Sequence, residues 1–288
     1  MKEINLENKN KIAFHFDITL VCNNRCPYCY IGMNLDNQRH LNLETIKNTI
    51  SALKDLKIKN PNYEIELIFV GGEPLLVIDN VIDVMKQLKD YVTSFQIFSN
   101  LNFPKNFEAI QKVKNLRKEF KNFIIKFSWH DVSDENNVKR NLKELEDFTC
   151  VTFLVQDENF ERTCLRHDWV RDNTIADINF EEIRDDNGNS FFSKSSNSIY
   201  KEMIKNSKDS EFFDVETSQK DLEISKRFHT FCQISQMCIT FDGDLTPMCF
   251  NPEKLGNIKD GINIKTMYCN NYHCRNVTTT YKKIGPKK

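Results

Sequence analysis

The sequence is poor in several residue types and patterns, and each absence narrows its class. Glycine, proline and tryptophan are scarce, at 8, 7 and 2 of 288 residues, which excludes collagen-like and low-complexity chains. Lysine plus arginine (40) balance aspartate plus glutamate (41), so no broad basic surface for nucleic acid is expected. No apolar run is long enough for a membrane span or for the core of a signal peptide. We therefore expect a cytoplasmic protein that binds neither nucleic acid nor membranes.

Cysteine, by contrast, is abundant for such a protein, at 10 residues. Disulfides are disfavoured in the cytoplasm, so clustered cysteines indicate metal binding or catalysis. Hydrophobic residues make up 40% of the chain and include 22 phenylalanines, which is enough to build a core.

Strand-like and helix-like apolar patterns alternate through the first two thirds of the chain. In the first strand every second residue from Ile12 to Ile18 is apolar, while His15 and Asp17 lie on the other face. The six predicted strands are Ile12–Ile18, Glu64–Val70, Ser94–Asn100, Phe123–His130, Phe148–Val155 and Ile175–Ile183. Strands separated by helices predict a parallel α/β sheet. About 180 residues are too few for an eight-unit barrel, which takes ~250, so we expect a partial (β/α)6 TIM-like barrel.

Composition divides the chain into three parts. Residues 1–184 carry the predicted partial barrel core, and residues 185–230 form a polar connecting segment. Residues 231–288 form a small cysteine-rich extension of β-hairpin and helix. Within it, Asp242-Gly243 between strand-forming residues predicts a β-hairpin.

The inner face of the predicted barrel is polar. Small closed barrels are filled by branched apolar side chains, so a polar lining favours an open cavity that receives a polar substrate. The substrate-facing candidates are His15, Asp17, Lys126 and His130. The other predicted lining residues are Glu66, Gln96, Ser128, Asn179 and Glu181. The alternative is that some of these faces are simply solvated.

Three cysteines stand directly after the first strand, as Cys22-Asn-Asn-Arg-Cys26-Pro-Tyr-Cys29. Three thiolates in one loop can hold three irons of a [4Fe-4S] cluster and leave the fourth iron open for a substrate. The loop follows a strand, at the edge where parallel α/β proteins carry out their chemistry. A structural zinc site is the alternative, but it needs a fourth ligand, and only His40 follows within forty residues.

The second strand ends in Gly71-Gly72-Glu73-Pro74. Two glycines permit a turn whose backbone approaches a ligand closely, and the proline fixes the exit from the turn. Taken alone, this turn is also compatible with a plain connection between a strand and a helix.

Together, the cysteine spacing, with an aromatic residue before the third cysteine, and the Gly-Gly-Glu turn resemble the signature of the radical S-adenosylmethionine (SAM) superfamily. The resemblance implies a [4Fe-4S] cluster on Cys22, Cys26 and Cys29 whose open iron chelates SAM. It also implies that reductive cleavage of SAM gives a 5′-deoxyadenosyl radical, which abstracts hydrogen from a second substrate. Tyr28 would lie against the adenine.

The same resemblance implies further residues that contact SAM. The turn that would hold the methionine amino group consists of Gly71, Gly72, Glu73 and Pro74. Other implied SAM-side positions are Ser99, Asn100 and Ser128, with Arg140 as a candidate for the carboxylate. Asn100 is followed by Leu101 where many relatives have glycine, so the adenine pocket is expected to differ.

Five more cysteines lie within 43 residues of one another: Cys232, Cys238, Cys249, Cys269 and Cys274. This region resembles the C-terminal extension of SPASM and twitch radical SAM proteins, which binds auxiliary iron–sulfur clusters. A full SPASM domain has more cysteines and two auxiliary clusters. The ligand set Cys232, Cys249, Cys269 and Cys274 therefore implies one auxiliary cluster of the twitch type, expected to be [4Fe-4S]. A structural zinc site with four cysteine ligands is the alternative.

Cys238 stands outside that ligand set, and we expect it near the auxiliary cluster at the mouth of the cavity. It is a buried strand residue, an auxiliary ligand in place of Cys232 or Cys274, or a catalytic hydrogen-atom donor. The last role uses the weak S–H bond of a thiol to quench a carbon radical.

Relatives with such extensions modify peptides or oxidise small molecules. We expect oxidation, crosslinking or epimerisation of a peptide or protein side chain, with a flavodoxin- or ferredoxin-type protein as reductant. The alternative within the family is a dehydrogenase of a small polar metabolite. A single auxiliary cluster and the lack of an added peptide-recognition domain favour this alternative. The alternative from another class is a non-catalytic zinc or iron–sulfur regulatory protein.

Overall fold

Six parallel strands form most of a nine-stranded sheet in this computed structural model, which describes residues 11–29, 39–182, 199, 230–233, 236–247, 254–263, 266–269 and 283–284. The strands are β1 (Lys11–Thr19), β2 (Glu64–Gly71), β3 (Ser94–Ser99), β4 (Phe123–Trp129), β5 (Thr149–Val155) and β6 (Asp177–Glu182). They lie side by side in chain order, each parallel to the next. Within the described residues β6 is one edge, and the sheet does not close. The predicted partial α/β barrel is confirmed.

A helix follows each of the first five strands. The helices are α1 (Leu43–Lys59), α2 (Ile78–Leu88), α3 (Glu108–Glu119), α4 (Glu135–Leu145) and α5 (Phe160–Asn173). Two begin at side-chain caps, since Asn42 accepts the N–H of Thr45 and Asp134 accepts the N–H of Asn137. None of the helices in the described ranges is long and apolar enough to cross a membrane.

The two faces of the sheet differ as the alternation predicts. Phe14 and Phe16 of β1 are completely buried among the helices, whereas His15 between them is partly exposed. Burying each such phenylalanine contributes about 1.5–3 kcal/mol. Asp17 is buried although it lies on the inner face. Partial exposure is shared by the predicted lining residues His15, Glu66, Gln96, Lys126, Ser128, His130 and Asn179, while the side chain of Glu181 lies outside the described part.

The cysteine-rich extension adds strands to the core sheet. These strands are β7 (Thr230–Gln233), β8 (Gln236–Ile239), β9 (Asp244–Pro247), β10 (Gly256–Asn257), β11 (Thr266–Cys269) and β12 (Lys283–Ile284). Strand β8 pairs in parallel with β1, so that His15 lies opposite Cys238 and Phe16 opposite Ile239. β9 and β10 continue the sheet, while β11, β7 and β12 form a separate antiparallel sheet.

The hairpin between β8 and β9 forms where Asp242-Gly243 predicts it, with Gly243 at φ +82°. Its turn contacts the chain that leads from the first cysteine loop into α1. Arg39 forms a two-point ion pair with Asp242 at 2.6 and 2.9 Å, and its guanidinium lies 4.5 Å from the ring centre of Phe241. The extension is therefore anchored beside the cysteine loop.

Candidate active site

The first three cysteines lie in the loop that follows β1, at the carboxyl end of the sheet. Their thiols are free and partly exposed. The N–H of Cys29 donates to the carbonyl oxygen of Cys26 at 3.1 Å, which makes a tight turn. The sulfur of Cys22 accepts hydrogen bonds from the backbone N–H of Asn24 at 3.4 Å and from the side-chain amide of Asn100 at 3.6 Å.

The thiols of Cys22 and Cys26 are held in their neutral form. Burial raises the pKa of Cys22 to about 11 and the pKa of Cys26 to about 12. A negative charge on the neighbouring cysteines raises both pKa values further, because thiolates repel one another. A bound cationic metal centre would offset this repulsion and displace the protons.

The donor set fits an iron–sulfur cluster with three cysteine ligands. Within the described residues, no three His, Cys, Asp or Glu side chains converge on a single metal ion. A cubane does not need such convergence, because each cysteine binds a different iron. Three free thiols spread over one loop, each within the electrostatic field of the others, meet its requirement.

The Gly-Gly-Glu turn lies directly against the entry to the cysteine loop. The N–H of Gly72 donates to the carbonyl oxygen of Thr19, and the N–H of Glu73 donates to that of Val21, both at 2.7 Å. A Cβ atom at Gly71 would lie 2.3 Å from the Thr19 oxygen, and one at Gly72 would lie 2.1 Å from the Val21 oxygen. The two glycines are therefore required by the close approach of two backbones, and the turn is part of the site.

Glu73 connects this turn to the end of β3. Its buried carboxylate accepts hydrogen bonds from the N–H of Leu75 (3.0 Å), the hydroxyl of Ser99 (2.9 Å) and the N–H of Asn100 (2.7 Å). Burial raises the pKa of Glu73 to about 7, although these three donors act to lower it. Pro74 begins a short 3-10 helix, Pro74–Val77, that leads into α2. The predicted SAM-side residues Glu73, Ser99 and Asn100 thus form one hydrogen-bonded unit.

Leu101 adopts the backbone conformation that glycine favours. Its φ is +47°, and its side chain is completely buried. Leu101, which stands where many relatives have glycine, therefore adopts the backbone turn that a glycine would adopt. The cost of the left-handed backbone is about 1–2 kcal/mol for a residue with a Cβ atom.

Sequence reasoning did not find a set of asparagines that ties the loops together. The side-chain amide of Asn23 donates to the backbone carbonyl oxygen of Asn102 at 2.6 Å, and the side-chain amide of Asn102 donates to Oδ1 of Asn24 at 2.8 Å. Asn24 in turn donates to the hydroxyl of Ser133, at the start of α4. The available signal is that asparagines recur just after β1 and just after β3, at the edge where the functional loops meet.

Tyr28 lies against His130 at the end of β4. The two rings are 5.9 Å apart and tilted by 32°, and the phenol oxygen is 3.0 Å from Nδ1 of His130. Burial lowers the pKa of His130 to about 4, so the imidazole is neutral at neutral pH. The same burial raises the pKa of Tyr28. Together the rings present an aromatic surface next to Cys29.

A buried arginine, which sequence reasoning also missed, pairs with the residue that follows His130. Arg166 of α5 is 4% exposed and forms ion pairs with Asp131 at 2.7 Å and with Glu135 at 3.1 Å. Its guanidinium lies 5.2 Å from the ring centre of Trp129. A buried arginine needs such partners, because an unpaired charge in the interior is costly.

The remaining candidates lie on the inner face of the sheet. On β1, burial lowers the pKa of His15 to about 4, against the raising effect of Glu66, and its ring lies 6.1 Å from that of Phe98. The ammonium of Lys126 donates to the sulfur of Cys150 at 3.4 Å. The lining therefore combines neutral imidazoles with a lysine.

The two remaining residues implied by the resemblance lie in different parts of the fold. Ser128 is on the inner face of β4, opposite Thr152 of β5. Arg140 of α4 donates through Nη2 to the carbonyl oxygen of Phe103 and to Asn137, both at 2.8 Å. Its Nε is buried and has no hydrogen-bond partner in the described part of the chain. The structure thus places Arg140 against the loop after β3.

Comparison with known families identifies the family of this chain. The model of the radical SAM superfamily matches residues 16–178, which is more than half of the chain. The chain belongs to the radical SAM superfamily. No curated protein sequence matches it significantly.

Solved structures share the fold of this radical SAM protein. A structure of anSMEcpe with bound AdoMet has a TM-score of 0.56 at 15% identity, covering 87% of this chain and 75% of that one. Another, with AdoMet and the Cp18Cys peptide, has a TM-score of 0.55 at 14% identity, covering 87% and 78%. BtrN in complex with AdoMet and 2-DOIA has a TM-score of 0.45 at 13% identity, covering 88% and 80%. At these identities the likeness to the two anSMEcpe structures, whose TM-scores exceed 0.5, establishes the fold alone.

The C-terminal cysteines of the radical SAM protein are only partly described. Cys249 and Cys274 lie outside the described residues. On the neighbouring strands β7 and β11, Cys232 pairs with Met267 and Cys269 pairs with Thr230, two register positions away. Cys238 lies on β8 in the core sheet, directly opposite His15.

Proposed function

We propose that this chain is a radical SAM enzyme whose Cys22, Cys26 and Cys29 hold a [4Fe-4S] cluster. When bound, the reduced cluster supplies the electron that cleaves SAM to methionine and a 5′-deoxyadenosyl radical, which takes a hydrogen atom from a second substrate. The observation that carries the proposal is the backbone pairing of the Gly-Gly-Glu turn with the entry to the cysteine loop. A structural metal loop has no need of a bare glycine turn held against it.

The residues around the loop have separate roles in binding. Gly71 and Gly72 allow the turn at the end of β2 to pack against the backbone of Thr19 and Val21, which holds the turn beside the cysteine loop, where the amino group of SAM would bind. Tyr28 and His130 provide the aromatic surface for the adenine. His15, with its lowered pKa, adds a neutral polar group to the inner face, on which the second substrate is bound.

We assign the reaction to oxidation, crosslinking or epimerisation of a peptide or protein side chain. The partly exposed polar lining supports a polar substrate, and the structure of anSMEcpe with a peptide shows that this fold admits one. We further assign Cys232, Cys249, Cys269 and Cys274 to one auxiliary iron–sulfur cluster of the twitch type, which would accept the electron that a substrate radical gives up. A flavodoxin- or ferredoxin-type protein would reduce the first cluster.

Cys238 is the candidate hydrogen-atom donor. It lies opposite His15, and burial together with Asp17 raises the pKa of its thiol to about 12. The S–H bond that a donor requires is therefore present at neutral pH. In a Cys238→Ala variant, intact iron with a diverted product and no solvent deuterium in the substrate would support this role. An unchanged product would make Cys238 a structural strand residue, and loss of iron would make it a ligand.

The decisive experiment replaces Cys22, Cys26 and Cys29 together by alanine. Anaerobically reconstituted wild type with dithionite and SAM should form 5′-deoxyadenosine, and the triple variant should form none. The variant should also lose about four irons, those of one cubane, while the C-terminal cysteines still bind metal. A non-catalytic regulatory protein would form no 5′-deoxyadenosine even as wild type. Formation of 5′-deoxyadenosine by the triple variant would disprove the proposal.

A further inference from the structure

We propose that Asn100 sets the reduction potential of the SAM-cleaving cluster by donating a hydrogen bond to the sulfur of Cys22. The inference rests on the proposed function, in which Cys22 binds that cluster. It assigns to Asn100 a role different from the SAM contact that family resemblance implies. Asn100 acts through Cys22 and is therefore a positioning residue.

The orientation of the Asn100 amide follows from its partners. Its Oδ1 accepts the backbone N–H of Asn102 at 2.9 Å, and only the oxygen of an amide can do so. Its Nδ2 must then point the other way, where it lies 2.8 Å from Oδ1 of Asn23 and 3.6 Å from the sulfur of Cys22. The two N–H bonds of the amide are thus divided between one oxygen and one sulfur.

The backbone holds this amide in place. The N–H of Asn100 donates to the buried carboxylate of Glu73 at 2.7 Å, and only 4% of Asn100 is exposed. The left-handed Leu101 follows and turns the chain so that Asn102 can reach back to Asn100. Asn100 therefore cannot swing freely away from the sulfur.

The chemistry of the contact predicts its effect. Hydrogen bonds to cysteine sulfurs and local charge are among the factors that set iron–sulfur potentials. The side-chain amide of Asn100, which donates to the sulfur of Cys22, stabilises the more negative, reduced cluster and so raises the potential. Glu73 acts in the opposite direction when it is ionised, because its carboxylate, 2.7 Å from the backbone nitrogen of Asn100, places a negative charge near the cluster site. Asn100 contacts both groups, the carboxylate of Glu73 through its backbone N–H and the sulfur of Cys22 through its side-chain amide.

The test compares the midpoint potential of the SAM-cleaving cluster in the wild-type and variant holoenzymes, measured without SAM. The signal of this cluster is identified beforehand as the EPR signal that changes when SAM is added. Asn100→Leu, which keeps the size and removes the donor, should shift the potential negative. We expect the ratio of reduced to oxidised cluster at the wild-type midpoint to fall about tenfold, which is ~59 mV for one electron. Asn102→Leu is the matched control, since Asn102 belongs to the same set of asparagines but has no described hydrogen bond to a cysteine sulfur. Its potential should match that of wild type.

The outcomes separate the inference from the proposed function. If Asn100→Leu keeps the wild-type potential and only weakens SAM binding, Asn100 contacts SAM and the inference is wrong. Equal shifts in both asparagine variants would also overturn it, because they would report general loosening of the loops. Asn100→Ala replaces the leucine variant if the latter holds less than a full cluster. A wild type without any SAM-responsive cluster signal would instead refute the proposed function itself.

Discussion

Gly72 has no room for a side chain, because the backbone of Val21 passes directly over it. A Cβ atom there would lie 2.1 Å from the Val21 carbonyl oxygen. We expect Gly72→Ala to push the turn away from the cysteine loop, with loss of first-cluster iron and of SAM cleavage. Iron analysis and 5′-deoxyadenosine formation measure both effects.

Gly261→Ala is the matched control for this change. Gly261 has φ +85° and ψ 177°, but nothing lies within 4 Å of an added Cβ atom. The variant should lose about 1–3 kcal/mol of stability through backbone strain alone and keep its full iron content. Equal iron in the two alanine variants would show that the close approach at Gly72 does not matter to the site.

Leu101 combines a left-handed backbone with complete burial, and the two properties have opposite consequences for substitution. Shortening a buried leucine to alanine costs about 2–5 kcal/mol. In a regular element, glycine lowers the free energy of unfolding by about 0.5–1 kcal/mol relative to alanine. At positive φ, however, alanine carries a steric penalty of about 1–2 kcal/mol that glycine does not. We therefore expect Leu101→Gly to be more stable than Leu101→Ala in urea, with both below wild type. At Leu67, buried in β2, the same pair should rank in the reverse order.

The core strands could be predicted from the sequence because their signal is local. Each of the six predicted strands lies within two residues of the observed bounds. The alternation in β1, with Phe14 and Phe16 buried and His15 between them partly exposed, also fixes which face is the inner one. Successive side chains of a strand point to opposite faces of the sheet, so the apolar alternation of one strand can be recognised without knowing which strands lie beside it.

The pairing of β8 with β1 could not be predicted in the same way. The hairpin turn at Asp242-Gly243 is a local signal, and it is confirmed. The hairpin joins the free edge of β1, a strand more than two hundred residues earlier in the chain. There Phe14 lies opposite Met237 and Phe16 lies opposite Ile239. The apolar residues of a short strand favour burial but do not specify a neighbour.

If β8 is an integral strand of the core, removing a buried side chain from it should destabilise the core. Ile239 is 0% exposed, so Ile239→Ala should cost about 2–5 kcal/mol in the unfolding of the core followed by aromatic fluorescence. The matched control is Ile175→Ala, at a residue 73% exposed, where a change within about 0.5 kcal/mol is expected. An unchanged core transition in Ile239→Ala would mean that the extension unfolds independently.

The candidate site combines motif residues with others that no motif announces. Cysteine spacing and the Gly-Gly-Glu turn predicted that the two loops belong together, and the backbone pairing at Gly72 and Glu73 agrees. Asn102 and Arg166 carry no comparable signal, because their roles depend on which loops and helices meet in space. Sequence thus predicts the groups that do chemistry better than the groups that hold them in place.

The two cysteine sets predict the metal content of the whole molecule. Wild type reconstituted anaerobically should carry about eight irons, as two cubanes, and the triple alanine variant of the first loop about four. Cys164→Ala, in α5 and outside both sets, should keep the wild-type content and serves as the control. Inductively coupled plasma mass spectrometry gives the iron and zinc content per chain, and a sulfide assay gives the content of inorganic sulfide. About four irons plus one zinc per chain would contradict the auxiliary cluster on Cys232, Cys249, Cys269 and Cys274. Oxidation would then need another electron acceptor, because zinc has no second oxidation state to accept the electron from a substrate radical.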